Sequence, residues 1–193
     1  MKEDILEQLV DDYLMFNGYF TIHNVKFLPS TTDPEYIKNK DSVPSDIDVV
    51  GFHPLLEGTD RIWVVSCKSW QGGFDPASRI EGIDSGKIIY GRAQWKSFRE
   101  LVKKKWADGL IAKIEKLTGS TKFTYVTAVT KLRGDAAVWQ EHKPFRENLR
   151  RNPIKILTLQ EMLSDLYKKT NKTVASSEVG RLLQVMKASG WKP

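Results

Sequence analysis

Two short stretches, residues 45–51 and 64–70, constrain the fold of this chain more than any other part of its sequence. Both are rich in β-branched residues, which favour strands, and a polar turn over residues 57–60 separates them. Because alternate residues of a strand share a face, Ile47 and Val49 are predicted to lie together on one face of the first strand. The pattern favours a β-hairpin within a larger sheet.

The polar residues of these two strands alternate in the same way. Asp46 and Asp48 share one face of the first strand, and Ser66 and Lys68 share one face of the second. Pairing of the strands would therefore bring a carboxylate and an ammonium group together at one edge of the sheet.

Two arrangements use an aspartate beside a lysine in this way. In the first, Asp48 binds Mg²⁺ or a similar hard cation, while Lys68 orients an attacking water and balances the charge of a phosphate. In the second, Asp48 and Lys68 form a buried ion pair that needs no ligand. Pairwise reasoning leaves both open.

The size and charge of the chain narrow the class of protein. With 193 residues, it is expected to form a single domain, residues 1–193, with residues 168–193 as a C-terminal helical extension. The 30 Lys and Arg residues against 24 Asp and Glu give a net charge of +6. This charge suits a polyanion partner, but it equally suits a basic protein that binds no nucleic acid.

Cysteine, histidine and apolar residues exclude other classes. The single cysteine excludes an intrachain disulfide and an all-cysteine metal site, and the three scattered histidines do not favour a zinc site. No apolar run approaches the ~20 residues that cross a bilayer, and the first residues, Met-Lys-Glu-Asp, lack the apolar segment of a signal peptide. The expected location is the cytoplasm, without a membrane partner.

The remaining segments predict alternating helices and strands. Before the two central strands, the apolar spacing predicts a helix over 3–17, a strand over 19–28 and a polar loop over 29–45. After them it predicts a weak helix near 77–83, a long helix over 90–117, a strand over 123–129, a segment over 135–150 that begins as a helix, and a strand over 154–157. Two helices follow, over 159–168 with Thr158 as its cap and over 178–188 with Ser176 as its cap. This order indicates an α/β protein with a mixed sheet of about five strands and helices on both faces. The long loop leads into the Asp48 strand, so it could flank a substrate groove.

The long predicted helix supplies the candidate nucleic-acid contacts. Arg92, Lys96, Arg99 and Lys103 are spaced four, three and four residues apart, so they form one stripe on a helix. Such a stripe can follow a phosphate backbone, although any solvated helix face can look the same. Gln94 lies nearer the apolar side, where a half-buried amide needs partners, and is a minor site candidate.

Three short motifs in order carry a family resemblance. They are residues 6–10 with Gly18-Tyr19, then residues 46–51, then residues 66–70. Together they resemble the PD-(D/E)XK nuclease superfamily, nearest to its Holliday-junction-resolvase and type IV restriction-endonuclease branches. The resemblance covers residues 3–70 and implies a restriction-endonuclease-like, three-layer αβα fold.

The resemblance also implies roles for particular residues. Glu7 would support the metal site from the first helix, Asp48 would be the main ligand of Mg²⁺ or Mn²⁺, and Lys68 would be the catalytic lysine. Cys67 would offer its backbone carbonyl to the metal, with its thiol turned into the core. Asp46 is the neighbour that could replace Asp48.

One position departs from the family pattern. Ser66 stands where the family usually has an acidic residue, and a neutral hydroxyl is a poorer ligand for a hard divalent cation. Ser66 could act through a water, a displaced carboxylate such as Asp75 or Glu81 could replace it, or the site could be inactive. The functional expectation is a metal-dependent DNA endonuclease acting on double-stranded or branched DNA, with a homodimer expected for cutting both strands. The alternative is a catalytically inactive DNA-binding or scaffold protein on the same fold.

Overall fold

The β-branched segments of the sequence form the strands of the main sheet, and the amphipathic segments form most of the helices. The computed structural model describes residues 4–89, 91–170 and 174–192. The strands are β1 Phe20–Phe27, β2 Ser45–Phe52, β3 Ile62–Lys68, β4 Ile88–Ile89, β5 Arg92–Ala93, β6 Thr124–Val129 and β7 Ile154–Thr158. The α-helices are α1 Ile5–Phe16, α2 Lys38–Asp41, α3 Pro76–Asp84, α4 Arg99–Val102, α5 Lys104–Thr118, α6 Ala137–Gln140, α7 Lys143–Asn148, α8 Leu159–Lys169 and α9 Glu178–Ala188, and 3-10 helices cover Gly58–Arg61 and Gln94–Phe98.

Five strands form a mixed sheet, as the sequence predicts. Their order is β1-β2-β3-β6-β7, with β1, β2 and β3 antiparallel in succession and β3, β6 and β7 parallel. Strand β3 is therefore central, and its last residue, Lys68, pairs with Val129 of β6. The short strands β4 and β5 form a separate two-stranded sheet.

Apolar residues cover both faces of the five-stranded sheet. On one face, Leu110 and Ile114 of α5 belong to a core cluster with Val64 and Tyr125 of the sheet. On the other face, α1 and α8 contribute Leu6, Val10, Leu14 and Met162 to a second cluster. The chain is therefore an α/β protein whose sheet lies between two helical layers.

The C-terminal helix α9 belongs to the second of these layers. Leu183 of α9 packs with Leu9 of α1 and Leu166 of α8. Ser177 caps α9 by accepting a hydrogen bond from the backbone N–H of Gly180. The predicted cap, Ser176, was wrong by one residue.

Strand β2 is irregular at Asp48. Ile47 packs in the core cluster of one sheet face, whereas Val49 packs in that of the other. In β1, Asn24 has a positive φ of 52°, and the register lacks a pair between Asn24 and Asp48. The prediction that Ile47 and Val49 share a face was wrong, because this irregularity breaks the two-residue alternation.

The predicted long helix over residues 90–117 is wrong as a single element. Residues 92–103 form β5, a 3-10 helix and α4, and Lys103 is extended before α5 begins. Phe98 and Glu100 are both buried, although a straight α-helix would point them about 200° apart. Breaking the helix allows both side chains to face the protein interior.

The starts of the first helix at residue 3 and of the long helix at Tyr90 lie outside the described residues. No helix in the described part of the chain is long and apolar enough to cross a membrane.

Candidate functional site

A cavity of about 390 Å³ lies where β2 and β3 separate. The ladder between these strands ends at the pair Val49 and Val65, so the preceding residues of β2 diverge from β3. Acidic, basic and neutral polar residues line the cavity, including Asp46, Asp48, Glu100, Lys68, Arg92, Lys96, Arg99 and Ser66. The structure thus brings Asp48, Ser66 and Lys68 to one site, as the strand pattern suggested.

Asp48 is held by the backbone of β3. Its Oδ2 accepts a hydrogen bond from the backbone N–H of Cys67 at 2.5 Å, in the region where β2 no longer offers a backbone partner. Burial raises the pKa of the Asp48 carboxyl group, while the Cys67 hydrogen bond and the charge of Lys68 oppose this effect. A fixed carboxylate with a raised pKa benefits from a nearby positive charge.

Lys68 is oriented by its neighbour on the same face of β3. Its Nζ donates a hydrogen bond to Ser66 Oγ at 2.8 Å and lies 5.4 Å from the centre of the Phe98 ring. Among the described residues, Asp48 and Lys68 do not form an ion pair within 4.0 Å. The alternative of a simple structural ion pair therefore lacks a direct contact.

Glu100 is the site residue that the sequence reasoning missed. It comes from α4, is only 4% exposed, and accepts a hydrogen bond from the Tyr125 hydroxyl group through Oε1. Burial raises the pKa of Glu100, and the charge of Lys68 and the Tyr125 hydrogen bond partly offset this. The sequence carries no local signal for Glu100, because on a straight helix it would lie about 200° from Phe98, away from the buried side.

The carboxylates proposed to replace an acid at position 66 lie elsewhere. Asp75 caps α3 by accepting a hydrogen bond from the backbone N–H of Ser78 at 3.0 Å. Neither Asp75 nor Glu81 lines the cavity, whereas Glu100 does. Of these three acids, only Glu100 of α4 shares the cavity with Asp48 and Lys68.

Glu7 lies outside the lining of the cavity. Its charge acts on Cys67, whose side chain packs in the core of the opposite sheet face, as expected for a thiol turned inward. Burial is the largest cause that raises the pKa of the Cys67 thiol well above its usual value, and the charges of Asp48 and Glu7 add to it. The role of Glu7 in supporting a metal remains a prediction.

The predicted basic residues border the cavity despite the broken helix. Arg92, Lys96 and Arg99 line it, and Lys103 lines an adjoining cavity of about 870 Å³. They are brought together by β5, a 3-10 helix, α4 and the residue after α4 rather than by one helical stripe.

Gln94 faces a third cavity, of about 330 Å³. Its Oε1 is buried, and no hydrogen-bond partner for it is present in the described ranges. A Cβ atom built on Gly82 of α3 would lie 2.4 Å from this oxygen, which shows that the Gln94 amide packs directly on that helix.

The cavity contains carboxylates that could hold a small divalent cation. Asp48 raises the pKa of Glu100, and Asp46 raises that of Asp48, so the carboxylates repel one another in this cavity. Within the described residues, no group of three or more His, Cys, Asp or Glu side chains could hold a metal. Mg²⁺ is commonly bound through one or two carboxylates and several waters, so Asp48 and Glu100 fit that pattern.

The fold and the cavity together define an α/β protein with a carboxylate and lysine site bordered by cations. No family model matches the sequence, and no curated protein matches it. Among solved structures, the chain is similar to the crystal structure of the protein of unknown function AF1548, with 13% sequence identity and a TM-score of 0.38. That match covers 98% of this chain and 69% of the other.

Proposed function

We propose that this protein is a metal-dependent DNA endonuclease with a restriction-endonuclease-like fold, acting in the cytoplasm on double-stranded or branched DNA. The observation that carries the proposal is the convergence of Asp48, Glu100 and Lys68 on one cavity bordered by cations. The resemblance of residues 3–70 to the PD-(D/E)XK superfamily supports it.

In this proposal Asp48 and Glu100 would hold Mg²⁺ or Mn²⁺. When bound, such an ion would neutralise charge that develops on the scissile phosphate. Lys68 would place its ammonium group, oriented by Ser66, beside the same phosphate and the attacking water. Arg92 and Lys96 would hold the phosphates on either side.

Ser66 has a different role in this arrangement from that of the acid it replaces. Its hydroxyl accepts a hydrogen bond from Lys68, and Glu100 supplies the second carboxylate from α4. The charge of the site is thereby restored by a residue from another element. Glu7 and Asp46 are proposed as outer carboxylates, and the Cys67 carbonyl as an additional oxygen ligand.

Plasmid cleavage in Mg²⁺ or Mn²⁺ tests the proposal. Lys68→Ala and Glu100→Gln are each expected to reduce the cleavage rate by about 100-fold or more, because each removes a group that stabilises charge in the transition state. Lys116→Ala, on the exposed side of α5, is the matched control and should cleave as the wild type does. Metal-dependent cleavage that survives Lys68→Ala would show that the site is wrong.

The second candidate function is a catalytically inactive DNA-binding or scaffold protein. The observation that favours it is the neutral Ser66 in place of an acid on β3. It predicts salt-sensitive DNA binding without cleavage of any DNA, and calorimetry without a heat of Mg²⁺ binding. If Asp48 and Glu100 hold Mg²⁺, as in the nuclease proposal, calorimetry should detect a heat of Mg²⁺ binding in the wild type and weaker binding in Glu100→Gln.

A nuclease that cuts both strands at one place needs two sites. We therefore propose a homodimer, which sedimentation velocity can test. A chain that sediments as a monomer with and without DNA would favour cutting of one strand.

A further inference from the structure

The second cavity is larger than the first and adjoins it. It has a volume of about 870 Å³ and shares Val43, Lys96 and Arg99 with the cavity that contains Asp48. Its outer wall comes from the loop before β2, through residues such as Pro34 and Ile37. The two cavities are therefore neighbours on the same side of the molecule, separated by residues that line both.

The cavity carries an excess of positive charge. Five cationic and two acidic residues line it. One of the acids, Asp41, is neutralised by Lys105, whose Nζ lies 2.7 Å from Asp41 Oδ2 and also donates to the Glu35 carbonyl at 2.8 Å. This contact links α5 to the loop wall and leaves Lys40, Lys96 and Lys103 as lining cations that form no ion pair with another described residue. Their charge favours a ligand of negative charge.

An aromatic surface lies among these cations. Trp95 is half-buried against the core, and Lys103 Nζ lies 5.6 Å from the centre of its ring. Trp106 forms a buried part of the same wall, with the Arg99 guanidinium 4.7 Å from its ring centre. Aromatic rings beside cations are the combination that binds the bases and phosphates of single-stranded nucleic acid.

We infer that this second cavity binds an unpaired nucleotide of the DNA strand whose phosphate lies beside Asp48. A base inside a duplex is stacked and paired, so it cannot reach a ring recessed in a cavity, whereas an unpaired base can. Trp95 contacts the base, and Lys96 and Lys103 contact its phosphates. The inference rests on the proposed function for the placement of the scissile phosphate, and it adds a preference for single-stranded segments next to the cleavage site.

Fluorescence anisotropy tests the inference, with binding measured in EDTA so that no cleavage occurs. The probes are a 12-nucleotide oligothymidylate, a blunt 24-base-pair duplex and the same duplex with a six-nucleotide overhang. Trp95→Leu is expected to weaken binding of the oligothymidylate by about tenfold or more, because it removes the ring on which a base stacks. Trp95→Phe keeps a ring and should remain within about threefold of the wild type.

The control is Trp191→Leu, which alters a partly exposed tryptophan just after the end of α9. It should leave binding of all three probes unchanged. Wild-type protein crosslinked to an oligonucleotide containing 5-iododeoxyuridine provides a measurement that needs no variant. Digestion and mass spectrometry should place the crosslink on the peptide that contains Trp95.

The results separate this inference from the proposed function. Three results would each overturn the inference. Trp95→Leu could lose single-stranded and blunt-duplex binding equally, it could bind the oligothymidylate with wild-type affinity, or the crosslinks could lie away from Trp95. If the protein cleaves DNA and any of these results is found, the nuclease proposal remains and the nucleotide site is lost. If no DNA is cleaved but Trp95→Leu selectively loses single-stranded binding, the nucleotide site remains and the nuclease proposal is lost.

Discussion

At the scale of single residues, Ser66 and Glu100 set the hydrogen bonding and the charge of the cavity that contains Asp48. Ser66 uses its hydroxyl to hold Lys68, so a neutral residue there still fixes the position of the ammonium group. Glu100 adds a carboxylate from a different element, buried beside Tyr125. The cost of burying this carboxylate without full compensation is visible in its raised pKa.

The raised pKa of Glu100 gives a prediction about stability and pH. The unfolded chain releases the Glu100 proton near the usual pKa of 4.5, whereas the folded chain holds that proton to higher pH. The folded state thus binds more protons above pH 4.5, and its free energy of unfolding falls as pH rises from there towards neutrality. Glu100→Gln should remove this part of the pH dependence and be more stable than the wild type at pH 8, with a smaller difference near pH 4.5.

Urea denaturation from pH 4.5 to 8 in EDTA measures this dependence. Glu115→Gln, at an exposed position of α5, is the control and should follow the wild-type curve. A Glu100→Gln variant that loses stability relative to wild type as pH rises would contradict the assigned direction of the pKa shift.

At the scale of elements, the break between α4 and α5 decides which side chains reach the site. Phe98 packs in the core, Glu100 reaches the cavity, and Arg99 borders the cavity from between them. Lys103 is extended, with φ −114° and ψ 118°, and α5 begins at the next residue in a new direction. A continuous helix could not place all of these groups on one side.

The packing of α5 against the end of β1 gives a second prediction. A Cβ atom on Gly109 would lie 2.0 Å from the Leu28 carbonyl oxygen, so helix and backbone approach closely at that point. Helix propensity alone would favour alanine over glycine by about 1 kcal/mol. Gly109→Ala should instead destabilise the protein by about 1–3 kcal/mol, because the backbone must move to make room.

Ala112→Gly in the same helix is the matched control. Ala112 is exposed, so this change should cost about 1 kcal/mol from propensity alone. Chemical denaturation of both variants gives the comparison. A stabilised Gly109→Ala protein would show that α5 is farther from Leu28 than the structure places it.

At the scale of the whole molecule, the position of the positive charges indicates a binding surface more clearly than their total number does. The net charge of +6 suits many soluble proteins, but Arg92, Lys96 and Arg99 gather around the cavity that contains Asp48. The opposite helical layer, formed by α1, α8 and α9, lies across the sheet from them. DNA contact is therefore expected on one side of the molecule.

Salt dependence of DNA binding tests this placement. Lys96→Ala should weaken binding and reduce the slope of log affinity against log salt by about one, because one phosphate contact is lost. Arg181→Ala, which removes a cation from exposed α9, should leave the slope unchanged. Equal slopes for the two variants would show that binding is not confined to the cavity side.

The sequence was sufficient for features that depend on neighbouring residues. Strand alternation predicted that Ser66 and Lys68 share a face, and the Thr158 capping box predicted where α8 begins, which the structure confirms. The mixed five-stranded sheet also followed from the order of strands and helices. These features depend on local periodicity and capping, which can be read from the sequence itself.

The tertiary structure decided the features that depend on distant contacts. The irregularity at Asp48 needs the unusual backbone of Asn24 on the adjoining strand, and the burial of Glu100 needs Tyr125 from β6 and a broken helix. No local pattern distinguishes Glu100 from a solvent-exposed acid, because its environment is supplied by residues 25 or more positions away. The sequence alone therefore determined the strands of the five-stranded sheet and the placement of Asp48 and Lys68 on neighbouring strands. Only three-dimensional packing decided that Glu100 lines the same cavity, because its burial depends on contacts with distant residues.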